Sequence, residues 1–77
     1  MDVEDYETTD GEMCVSVKAM CHRSSKKAIL VLIEGEHDPV WVPNSQIKNE
    51  SEVFDVGDQG DLIVTRWLAR EKGWIDE

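Results

Sequence analysis

Four side chains in this 77-residue sequence have the chemistry to bind a metal or to attack a substrate: Cys14, Cys21, His22 and His37. The six residues between the cysteines match no common zinc-binding spacing, and the histidines complete no recognisable motif. Cys21 and His22 are neighbours, so on a strand they point to opposite faces. No third group or oxyanion loop completes a nucleophilic site for them or for Ser45. We therefore predict no metal site, no cofactor and no enzymatic activity.

The acidic run from Asp55 to Asp61 has the composition of a calcium loop but not its spacing. Counted from Asp55, the third ligand position is Gly57, the fifth is Gln59, and the twelfth is Arg66 instead of glutamate. Its two glycines and three aspartates instead predict a turn.

The charge of the chain is strongly acidic, with 17 Asp and Glu against 8 Lys and Arg and a net charge of −9. Residues 1–12 hold six carboxylates and no basic residue, and residues 34–61 hold eight carboxylates and only Lys48. Phosphate binding depends on lysine and arginine, so this balance disfavours direct binding of nucleic acid. An acidic excess usually serves solubility alone, and a cationic partner surface is the alternative.

The sequence contains no targeting or membrane signal that we recognise. No stretch approaches the roughly 20 apolar residues of a membrane span, and the acidic N-terminus is unlike a secretion signal. We therefore expect a cytoplasmic protein with reduced cysteines and no membrane partner.

Hydrophobic periodicity predicts an acidic mobile tail over residues 1–11 and a single small β-barrel domain over residues 12–77. Alternating apolar residues predict a half-buried strand over residues 13–21. The apolar run Ala28–Ile33 predicts a strand buried on both faces. A turn over residues 34–38 then leads into a hairpin partner.

The second half of the chain carries signals for turns and for a closing helix. Prolines at positions 39 and 43 bracket the strand Val40-Trp41-Val42 and place it at an edge, and a helical turn is expected after it. Short strands are expected at Val53-Phe54 and Leu62-Ile63-Val64. Thr65 is predicted to cap a helix over residues 66–72 that ends at Gly73. The whole is predicted to be mainly β with a short C-terminal helix, as a small SH3-like or OB-like barrel.

The three tryptophans supply most of the aromatic surface of this chain. Trp41 suits either the core or a partner interface. Trp67 is expected to pack the closing helix onto the core. Trp74 follows the helix stop and is expected to be exposed, unless it folds back as a cap.

The chain resembles small proteins encoded by phages, prophages and other mobile elements, most of them uncharacterised. The resemblance covers roughly residues 26–73, and the following motifs carry it: Lys27-Ala28-Ile29-Leu30-Val31, Trp41-Val42-Pro43-Asn44-Ser45-Gln46-Ile47, Ser51-Glu52-Val53, Gly57-Asp58-Gln59-Gly60 and Trp67-Leu68-Ala69-Arg70-Glu71-Lys72-Gly73. The resemblance implies an accessory role carried out by binding in the host cytoplasm. Small acidic phage proteins include inhibitors of host machinery and of CRISPR-type defence complexes, some of which mimic the charge of DNA.

We therefore expect an inhibitor-like, anti-CRISPR-like protein that binds a basic host protein or nucleoprotein complex. Its expected partner-binding residues are Glu34, Glu36, Asp38, Trp41, Glu50, Glu52, Asp55, Asp58, Asp61 and Trp74.

Two alternatives remain open on sequence grounds. A barrel that binds single-stranded nucleic acid would stack bases on Trp41 and use the basic side chains of Lys18, Arg23, Lys26 and Lys27. A structural or assembly subunit would need no such surface, but it should oligomerise.

Overall fold

One long strand organises the sheet in the computed structural model, which describes residues 1–76. The elements are β1 (Val3–Glu7), β2 (Met13–Ser24), β3 (Ala28–Ile33), β4 (Val40–Pro43), a 3₁₀ turn (Asn44–Gln46), β5 (Gln59–Thr65) and the helix α1 (Arg66–Glu71). All strand pairs are antiparallel. The prediction of a mainly β protein with a short C-terminal helix is confirmed.

The pairing register places β2 in the middle of the sheet. Residues 14–17 of β2 pair with both β1 and β5, and residues 19–20 pair with both β3 and β5. A strand has only two edges, so β1 and β3 lie end to end along one edge of β2 and β5 lies along the other. β4 pairs with β3.

The sheet curls into a barrel-like globule but does not close. After β4, the chain forms an isolated bridge to β5 between Ile47 and Val64 and a few single hydrogen bonds, but no strand ladder. β4 therefore keeps one free edge within the described part of the chain, residues 1–76.

The core lies on one face of the curled sheet and under the helix. It is formed by Val15, Val17, Ala19, Cys21, Ile29, Val31, Ile33, Val42, Val53, Leu62, Val64, Leu68 and Ala69. In β3 buried and half-buried residues alternate strictly. The prediction that β3 is buried on both faces is therefore wrong. The residues on its second face are half-buried and so stay partly open to solvent.

The structure also differs from the predicted mobile tail over residues 1–11. Val3–Glu7 forms β1 and pairs with β2 over its whole length, from Val3 opposite Val17 to Glu7 opposite Met13. This strand has few apolar residues because its neighbours leave most of it exposed. Its order comes from the backbone ladder, which hydrophobicity does not reveal.

The predicted strand at Val53-Phe54 is also absent. Val53 is buried in the core without strand pairing, and Phe54 is exposed.

The closing helix begins and ends as its sequence indicates. The Leu68 N–H donates a 3.2 Å hydrogen bond to the Thr65 hydroxyl, which is the N-cap contact. Gly73 has a φ of +76°, the left-handed conformation that a helix stop requires. No helix in residues 1–76 is long and apolar enough to cross a membrane.

Candidate functional site

The cysteines occupy positions that suppress their chemistry. Cys14 and Cys21 are both free and buried. Burial raises the pKa of each thiol above its ordinary value, so both stay protonated and weakly nucleophilic. Within residues 1–76, no group of three or more His, Cys, Asp or Glu side chains is arranged to hold a metal ion.

Two of the predicted acidic site residues have structural roles in the long connection before β5. The Asp58 carboxylate accepts hydrogen bonds from the backbone N–H groups of Asp55 at 2.8 Å and Phe54 at 3.0 Å. These bonds hold the pKa of Asp58 below its ordinary value. Glu52 accepts a 2.8 Å hydrogen bond from the Asp61 N–H. Both carboxylates thus brace the chain.

Two further predicted acids bond within the chain. Asp61 forms an ion pair with Lys18 at 2.5 Å, and this contact raises the pKa of the lysine. Glu50 accepts a 3.2 Å hydrogen bond from the Thr9 N–H. The Lys18 pair also weakens the alternative of nucleic-acid binding, because one of its four proposed cations already faces a carboxylate.

The remaining acids of the predicted site lie on the surface without such bonds. Glu34, Glu36 and Asp38, which we call the acidic turn, join β3 to β4 and are all exposed. Within residues 1–76 their side chains form no hydrogen bond or ion pair, and the same holds for Asp55. These carboxylates keep their full capacity to attract a cation.

Trp41 lies beside the acidic turn. It sits in β4 opposite Leu30 of β3, and its side chain is 45% exposed. Its neighbours Val40 and Val42 face the core, so the indole points to the other face of the sheet. The structure thus places Trp41 outside the core, and its role in an interface stays a prediction.

An apolar patch continues from Trp41 across the sheet. Leu30 and Leu32 point to this face from β3, and Met20 lies opposite Leu32 on β2. All three are half-buried. We call Met20, Leu30, Leu32 and Trp41 the outer face.

The outer face runs into a groove of 310 Å³ beside the acidic turn. Met20 and Leu32 belong to its lining, and Glu34, Glu36 and His22 lie around them. An apolar surface therefore adjoins unpaired negative charge at this end of the hairpin.

Comparison with protein-family models, with curated proteins and with solved structures finds no match. The resemblance to mobile-element proteins therefore stays a prediction.

The other two tryptophans exchange the positions expected for them. Trp67 is 53% exposed, because the helix turns Leu68 and Ala69 toward the core instead. Trp74 is half-buried and packs against the core, and its backbone N–H donates a 2.8 Å hydrogen bond to the Ala69 carbonyl. It folds back as a cap, and the structure does not place it near the acidic turn.

Sequence reasoning missed part of the site. Leu30 and Leu32 belong to the outer face. The continuous apolar run Ala28–Ile33 does not indicate that one face of β3 is partly exposed. Asp2 and Glu4 fall in the predicted tail, yet they line a small hollow together with Glu34 and Lys18. The β1 pairing alone brings them there.

Proposed function

We propose that this protein is a small binding module, without catalytic function, that captures a basic protein partner through the acidic turn and the outer face. The three exposed carboxylates of the turn, unbonded within residues 1–76 beside an exposed tryptophan, carry this proposal. Opposite charge speeds encounter and selects the partner, and a tryptophan is a frequent interface anchor.

The net charge of −9 supports the same partner class. The lysines and arginines that grip phosphate in a nucleic-acid-binding protein would pair with these carboxylates equally well. We infer an accessory role in the host cytoplasm, as an inhibitor of a nucleic-acid-binding or CRISPR-type defence complex. The motif resemblance to phage and prophage proteins supports this part of the proposal.

The test is affinity capture from bacterial lysate, with elution by a salt gradient. The wild-type protein is expected to retain basic, nucleic-acid-binding proteins that leave the column as salt rises. A triple variant of the acidic turn, Glu34→Gln with Glu36→Gln and Asp38→Asn, is expected to lose them.

A second triple variant controls for net charge alone. Glu7→Gln with Glu71→Gln and Asp76→Asn removes the same number of negative charges from other exposed positions. It should retain the partners. Equal loss in both variants, a captured set without basic proteins, or retention indifferent to salt would each refute the proposal.

A further inference from the structure

The free edge of β4 offers a hydrogen-bonding group beside the apolar and acidic surfaces. The Asn44 N–H donates to the Lys27 carbonyl at 2.7 Å, which makes Lys27 and Asn44 a hydrogen-bonded pair of the β3–β4 ladder. Such pairs alternate with non-bonded pairs in an antiparallel ladder. In this register Leu30 and Trp41 form a non-bonded pair, so the Trp41 N–H and carbonyl point away from β3.

Prolines confine this edge to one donor. Pro43 shares the outward orientation of Trp41, since it lies opposite Ala28 in the next non-bonded pair. It has no N–H to offer, and Pro39, immediately before the strand, has none either. Trp41 is therefore the one outward donor of the edge between these prolines, with carbonyls on both sides of it.

This arrangement disfavours a second copy of the chain as the occupant. If two β4 strands paired antiparallel about their Trp41 residues, Pro39 of one copy would face Pro43 of the other. Neither could donate, and only the reciprocal bonds at Trp41 would form. An ordinary peptide instead adds its own N–H donors opposite both proline carbonyls.

The surrounding charge selects among ordinary peptides. The acidic turn lies before the start of β4. The basic residue Lys27 lies at the other end of the strand, where its carbonyl accepts a hydrogen bond from Asn44. In a peptide antiparallel to β4, a residue C-terminal to the one facing Trp41 would lie near the acidic turn. A lysine or arginine fits there.

We propose that an extended basic peptide segment of the partner adds to the free edge of β4 as a further antiparallel strand, centred on Trp41. An apolar side chain at the centre of the segment lies against Trp41, which itself faces Leu30 across a non-bonded pair. A basic side chain two residues later meets the acidic turn. This mode of binding rests on the proposed function and names the partner segment.

The test uses a short synthetic peptide with blocked ends, threonine and valine flanks, a central leucine and a lysine two residues after it. Backbone and indole N–H resonances of the ¹⁵N-labelled protein are followed by NMR during titration. We expect the largest shifts at Trp41 and its neighbours in β4. A twin peptide with glutamate in place of lysine, and another with N-methyl-leucine at the centre, should each bind at least about fivefold more weakly.

Two variants separate the indole from the backbone. Trp41→Ala and Trp41→Pro both remove the ring, but only the second removes the outward N–H, which forms no bond to β3. We expect binding to weaken in the first and to be lost in the second, while circular dichroism reports on folding. If Trp41→Pro does not fold, the N-methyl peptide still tests the backbone hydrogen bonding at Trp41, because it removes the N–H of the peptide residue that faces Trp41.

The outcomes distinguish this mode from the proposed function. If the peptide produces no shifts in β4, or if the N-methyl twin binds equally well, strand addition is refuted. Retention of basic proteins that still depends on the acidic turn would then leave the proposed function standing. If the acidic-turn variant retains those proteins as well as wild type does, the proposed function falls independently of the peptide result.

Discussion

The Thr65 hydroxyl links the turn after β4 to the helix α1, so its removal should lower the free energy of unfolding. It donates a 2.6 Å hydrogen bond to Gln46 Oε1, in the turn after β4. It also accepts the Leu68 N–H at 3.2 Å as the helix N-cap. Thr65→Val keeps the shape of the side chain and removes both bonds.

The expected loss is the sum of two ordinary contributions. Losing the cap costs about 1 kcal/mol. Losing the bond to Gln46 between partly buried groups costs about 1 kcal/mol more. A total of about 2 kcal/mol corresponds to a fall in Tm of roughly 8–16 °C in a domain of this size.

The assay is urea and thermal unfolding followed by far-ultraviolet circular dichroism, with Thr65→Ser as the matched control. Serine keeps the hydroxyl and should stay close to wild type. Gln46→Leu should lose only about half as much as Thr65→Val, because the cap remains. A Thr65→Val variant within about 0.5 kcal/mol of Thr65→Ser would refute the idea that this hydroxyl links the segments.

Two further predictions concern the start of β5 and the connection before it. Gly60 has a φ of +148°, which strains any residue with a Cβ, and that Cβ would also push the Glu52 carboxylate away from the Asp61 N–H, so Gly60→Ala should cost roughly 1–3 kcal/mol of unfolding free energy. Gly57→Ala, at a φ of +92° with open space around it, tests backbone strain alone and should cost less; an equal cost would contradict the close contact. The Asp58 carboxylate has its pKa lowered by two backbone N–H groups, so its stabilisation is present above the ordinary aspartate pKa of about 4 and is lost as the pH falls through its folded value. The advantage of wild type over Asp58→Asn in urea unfolding should accordingly shrink in acid, and an advantage that does not change with pH would contradict it.

Local sequence signals predicted most of the fold. The alternation in β2, the proline-initiated turn after β4 and the Thr65 cap each depend on neighbouring residues, and each is found in the structure. β1 could not be found this way, because only Val3 and Tyr6 in it are half-buried and its order depends on a remote strand.

The candidate site was harder to predict, because one residue type has two roles. Asp58 and Asp38 are both aspartates in turns of an acidic segment, and composition does not distinguish them. Only the structure shows that Asp58 accepts backbone hydrogen bonds while Asp38 does not. The predicted positions of Trp67 and Trp74 were wrong for a similar reason. The direction of Trp67 depends on which side of a six-residue helix meets the sheet.

The free edge of β4 would be a liability in a neutral protein, because an exposed strand beside an apolar face invites pairing between copies. Here two features act against that. Because Pro39 and Pro43 cannot donate, two paired copies of β4 would form only the hydrogen bonds at Trp41. The net charge of −9 also makes copies of the chain repel each other. Both features act selectively, since a basic strand with its own N–H donors is attracted by the charge and can bond to the proline carbonyls. The features that disfavour pairing between copies are therefore the same ones that would favour a basic strand in the binding mode proposed above.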